Sequence, residues 1–90
     1  MAARVEYKAS VEKDLRGLDR GAAVRLLGRI EQALTGAGPQ GKALAGEFAG
    51  LFRLRVGAYR VIYTRLREGY LVLRIGHRRD VYRRGRPEAE

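Results

Sequence analysis

Two alternating runs separated by two residues constrain this chain more than any other feature of it. Leu51-Phe52-Arg53-Leu54-Arg55-Val56 and Tyr59-Arg60-Val61-Ile62-Tyr63-Thr64-Arg65-Leu66 flank Gly57-Ala58. A glycine at the first loop position suits the type II′ turn that joins antiparallel strands. A loop of that length dictates the pairing: Val56 with Tyr59, Arg55 with Arg60, Leu54 with Val61, Arg53 with Ile62 and Phe52 with Tyr63. Side chains alternate across a strand, so Phe52, Leu54, Val56, Tyr59, Val61 and Tyr63 share one face while Arg53, Arg55 and Arg60 share the other. Like charges directly opposite each other weaken a sheet, so arginines stacked in this way point to an anionic ligand. The alternative is that their stems cover an open face with the charged heads in water.

The rest of the chain supplies the cover. Arg4-Val5-Glu6-Tyr7-Lys8 alternates as a half-buried strand. Ser10 offers a helix-capping oxygen before Val11, Leu15 and Leu18, which predict a short helix over 11–18. Asp19 caps a second helix whose stripe is Ala23, Leu26, Leu27, Ile30 and Leu34. Gly36-Ala37-Gly38-Pro39-Gln40-Gly41 ends it and opens a loop to about Gly50, with Leu44, Phe48 and Leu51 as anchors to the core or to a partner. A three-residue loop, Arg67-Glu68-Gly69, with Gly69 left-handed, leads to a last strand, Tyr70-Leu71-Val72-Leu73-Arg74-Ile75. That register sends Leu71, Leu73 and Ile75 to the helix side and Arg74 to the basic side; a two-residue loop would put the three apolar residues among the arginines. Tyr59, Tyr63 and Tyr70 read as packing residues. The expected fold is α+β, ordered β-α-α-β-β-β, with two N-terminal helices on one face of a mostly antiparallel twisted sheet. It forms a single domain over residues 1–90, and 83–90 is expected to be a flexible basic tail.

Charge and composition narrow the function. The 90 residues carry 19 Lys and Arg against 10 Asp and Glu, a net charge of +9. The excess is uneven: residues 1–50 hold 8 basic and 6 acidic side chains, residues 51–90 hold 11 and 4. Sixteen of the 19 are Arg, whose planar fork of donors suits phosphates and stacking. With no cysteine and one histidine, disulfides, thiolate nucleophiles and an evident metal-ligand set are excluded. Neither a secretory leader nor a membrane span is legible, which predicts a cytoplasmic protein.

Arg53-Leu54-Arg55-Val56-Gly57-Ala58-Tyr59-Arg60-Val61-Ile62-Tyr63, followed by Gly76-His77-Arg78-Arg79-Asp80-Val81-Tyr82, resembles the RelE/ParE superfamily of bacterial and archaeal toxin–antitoxin toxins, the RelE branch in particular. The resemblance spans most of the chain. It implies a ribosome-dependent endoribonuclease that enters the A site and cuts mRNA by attack of a ribose 2′-OH on the adjacent phosphate, with no metal and no cofactor. The implied catalytic residues are Arg55, Arg60, His77, Arg78 and Tyr82. Arg60 and Arg78 would stabilise phosphate charge, and Tyr82 would meet a base or ribose. Arg53, Arg74, Arg79, Arg83 and Arg84 are the implied RNA contacts. Arg53 and Arg55 stand where RelE toxins carry lysine. Because arginine stays protonated it is a poor general base, and His77 or Tyr82 becomes the candidate for the 2′-OH proton. Simple alternation nevertheless puts His77 on the helix side.

The implied partners are the ribosome, mRNA and a RelB-like antitoxin whose acidic segment wraps the toxin, with a heterotetramer as one assembly. Two rival readings accompany this one: a ParE-like inhibitor of DNA gyrase, and a member of the fold that binds ribosomes or RNA without cutting.

Overall fold

A computed structural model describes residues 4–36, 41–77, 81–82 and 85–87. Strand β1 (Arg4–Tyr7) is followed by helices α1 (Ser10–Leu15) and α2 (Arg20–Thr35), strand β2 (Lys42–Ala43), a 3-10 turn at Gly46–Phe48, and strands β3 (Phe52–Val56), β4 (Tyr59–Leu66) and β5 (Gly69–His77). They form one sheet in the order β1-β5-β4-β3-β2. Only the β1–β5 pair is parallel.

The two helix starts differ. Asp19 caps α2, its carboxylate accepting the Ala22 N–H at 2.9 Å. Ser10 lies inside α1, whose cap is Ala9 with no side-chain bond, and the helix stops at Leu15. The α2 stripe works as its spacing predicts: Leu26, Ile30 and Leu34 are buried. With Val11 they pack on Leu54, Val56, Val61, Tyr63, Val72 and Ile75. Tyr59 and Tyr70 border this core and Tyr63 is inside it.

The first hairpin has the expected register throughout, and Gly57 stands at φ 60°, as the first position of a primed turn requires. The second does not. Leu66 pairs with Gly69, which leaves the two-residue loop Arg67-Glu68, and Gly69 is not left-handed. Its need for glycine is instead contact, because a Cβ there would run into the Arg4 backbone of β1. The shorter loop moves the register by one residue, and a bulge between Ile62 and Tyr63 moves it back. Tyr63 faces Val72 and Ile62 faces Arg74, leaving Leu73 as the unpaired extra residue. Ile75 is therefore on the helix side and Arg74 on the open side, as expected, whereas Leu71 and Leu73 sit on the open face.

That face consequently has its own apolar cluster. Leu51, Ile62, Leu73 and Val81 are buried together, bordered by Leu44, Phe48, Leu71 and Tyr82. Val81 lies over Gly76, where an added Cβ would lie 2.8 Å from Val81 Cγ1. No helix among the described residues is long and apolar enough to cross a membrane.

Candidate nucleic-acid interface

The hairpin places three of the implied site residues side by side. Arg55 on β3 is the register partner of Arg60 on β4, and Arg53 is the partner of Ile62 two positions on. Directly opposed Cβ atoms in such a ladder are about 4.5–5.5 Å apart, so the two guanidinium groups leave from neighbouring points. Arg55 is exposed, and Arg53 and Arg60 are half-buried. None of the three side chains makes an ion pair or hydrogen bond to a described residue. Their fields add at the hairpin half of the open face, with no carboxylate among the described residues paired to them.

The other half of that face is covered. Arg74 also points there, but its Nη1 donates to the Val81 carbonyl at 2.6 Å and to the Gly85 carbonyl at 2.9 Å. Arg86 grips the opposite side, donating to the carbonyls of Ala49 at 2.6 Å and Glu47 at 3.1 Å. Pro87 is buried, so Gly85–Pro87, expected to fray, are docked. Tyr82 is half-buried with its ring edge-on to Phe48, centroids 5.4 Å apart.

His77 stands elsewhere. It pairs with Tyr59 on the helix side, the two rings meeting edge to face at 4.4 Å, and its side chain is exposed. It lines a cleft of about 480 Å³ at the rim of β5, bounded by Asp14, Leu18 and Tyr59 on the helix side and by Arg74 and Val81 on the open side. The cleft lies where β1 stops and the rim of β5 is left open; there the Asp14 carboxylate accepts the Ile75 N–H at 3.0 Å, standing in for a missing strand. The sheet thus brings Arg53, Arg55, Arg60, Arg74 and Tyr82 to one face and holds His77 on the other. Arg78, Arg79, Arg83 and Arg84 lie outside the described residues. Among those described, no group of three or more His, Cys, Asp or Glu is placed to hold a metal ion.

Sequence reasoning misses Asp14, Gly76 and Arg86, because each acts through a residue that is distant along the chain or across a turn, and no local pattern marks it.

Two helices on a mostly antiparallel five-stranded sheet match the fold of the RelE/ParE superfamily of small toxins. The family model of the ParE toxin of type II toxin–antitoxin systems, parDE, matches residues 5–82, and the chain belongs to that family. It is a toxin of a type II toxin–antitoxin system. Among solved structures, the toxin–antitoxin complex RelBE2 of Mycobacterium tuberculosis is similar at 26% identity and TM-score 0.67, over 89% of this chain and 95% of that one. The RelB-RelE antitoxin–toxin complex of Methanococcus jannaschii is similar at 21% identity and TM-score 0.63, over 86% and 94%. A free-state mutant of the Escherichia coli toxin RelE shares the fold at 17% identity and TM-score 0.65, over 91% and 88%. No curated protein matches significantly.

Proposed function

We propose that this toxin is an endoribonuclease of the RelE type, cutting mRNA in the ribosomal A site by attack of a 2′-OH on its own 3′-phosphate. The observation that carries the reading is the trio Arg53, Arg55 and Arg60, gathered on one face without a carboxylate partner among the described residues. In the attack, negative charge grows on the non-bridging oxygens of a pentavalent phosphorus. Fixed guanidinium donors stabilise that charge more than they stabilise the ground state. Arg60, half-buried and directly opposite Arg55 in the ladder, is assigned to it, with Arg55 beside it and Arg53 holding the neighbouring phosphate. Of the two candidates for the 2′-OH proton, Tyr82 shares the face of the arginines and His77 does not, so the proton role passes to Tyr82. An antitoxin like the RelB chains of the solved complexes would silence the toxin by laying an acidic segment on the same arginines.

The test is incubation of the purified toxin with defined mRNA, with and without programmed ribosomes. Ribosome-dependent cuts are expected, slowed about 100-fold in Arg60→Ala, the loss typical of one charge-stabilising donor. The ParE family match favours a second reading, inhibition of DNA gyrase. Intact mRNA together with toxin-dependent loss of supercoiling by gyrase would establish that reading instead.

A further inference from the structure

We propose that Arg74 is a positioning residue, a clamp that fixes the segment carrying Tyr82 over the open face, and not an RNA contact; the catalytic half of this inference rests on the nuclease reading above. Arg74 leaves β5 immediately after the bulged Leu73, opposite Ile62. One of its terminal nitrogens serves two carbonyls, Val81 at 2.6 Å and Gly85 at 2.9 Å. Such a nitrogen carries two hydrogens, so both are used. The two acceptors lie four positions apart on either side of Tyr82, and the Gly85 N–H donates to the Tyr82 carbonyl at 3.1 Å. A charged donor holding both ends of one turn fixes its orientation more firmly than neutral bonds would.

Position then follows from the register. Val81, 1% exposed, rests on Gly76, and Gly76 is the strand partner of Arg60. Tyr82 is therefore one residue from the side chain that covers the strand partner of Arg60, and its ring meets Phe48 edge-on. Arg86 ties the segment to the 47–49 turn. Without Arg74, the turn keeps its anchors at Val81 and Arg86 but loses the tether that sets the angle of Tyr82 between them.

Arg74→Ala, Arg74→Lys, Tyr82→Phe and the double variant Arg74→Ala/Tyr82→Phe test this. In free toxin, with no RNA or ribosome present, amide exchange at Gly85 should rise at least tenfold in Arg74→Ala. It should rise in Arg74→Lys too, because the shorter ammonium keeps the charge but cannot span both carbonyls. On ribosomes, Arg74→Ala should lower kcat about tenfold with KM within twofold of wild type, and the double variant should be no slower than the slower single variant. Unchanged Gly85 exchange in both Arg74 variants would overturn the clamp. A rise in KM at constant kcat, absent in Arg74→Lys, would make Arg74 an RNA contact after all. Arg74→Lys serves for exchange and kinetics if the alanine variant fails to fold. Should wild type leave mRNA intact, the nuclease reading fails and Tyr82 loses its role, while the exchange result still decides the clamp.

Discussion

Truncating Leu73 to alanine tests whether the open face of the sheet holds a second core. Leu73 is the extra residue of the β4–β5 bulge, 1% exposed, and it contacts the cluster of Leu51, Ile62 and Val81. Leu→Ala removes three carbons, about 2.4 kcal/mol at about 0.8 kcal/mol each, and an incompletely collapsed cavity raises the total to about 3–4 kcal/mol. In a domain of this size each kcal/mol moves the melting temperature about 4–8 °C, so a fall of more than about 12 °C is expected in thermal unfolding followed by circular dichroism. Leu66→Ala, at a 37% exposed position near the end of β4, is the control and should shift it by less than half as much. If Leu73→Ala lowers the melting temperature by under about 4 °C, Leu73 is not packed beneath the C-terminal segment and the bulged register is wrong.

Other consequences can be checked by the same unfolding assay. Asp19→Ala removes the α2 cap and should cost about 1 kcal/mol, with Asp19→Asn close to wild type. Arg55→Glu turns a like-charge cross-strand pair into an opposite one; it should gain a few tenths to about 1 kcal/mol while abolishing toxicity, and lower stability would mean the arginines do not oppose each other. Burial, and then the bond donated to Glu31 at 3.0 Å, push the Tyr7 phenol above the usual tyrosine range. A raised acid favours the folded state while protonated, so this contribution is complete below pH about 10 and is lost as pH climbs beyond it. Wild type should therefore lose stability more steeply than Tyr7→Phe above pH 10, and parallel curves would remove the Tyr7–Glu31 bond from the account.

The parts of the fold legible in sequence are those set by neighbours along the chain. A two-residue turn with glycine first fixes Arg53, Arg55 and Arg60 on one face, and the Leu26, Ile30, Leu34 spacing fixes the buried side of α2. What is not legible depends on a third element. Gly69 reads as a turn residue until β1 comes to lie against it, and the bulge at Leu73 appears only when β5 must satisfy β1, β4 and two cores at once. The same holds for the site. Arg74 has the composition and the face of an RNA contact, yet carbonyls arriving from seven and eleven residues later occupy its guanidinium. His77 has the chemistry of a base, but strand alternation, which sequence does give, already assigns it to the side away from the arginines.

If the arginine face stabilises the transition state of mRNA cleavage, the chemistry of the cut ends shows it most directly. Purified toxin acting on programmed ribosomes should leave fragments ending in a 2′,3′-cyclic phosphate and beginning with a 5′-OH, cut within the A-site codon. Arg60→Ala, folded to the same melting temperature within a few degrees, should yield almost none. Full-length mRNA after incubation with active-concentration toxin, or equal cleavage by Arg60→Ala, would contradict the account.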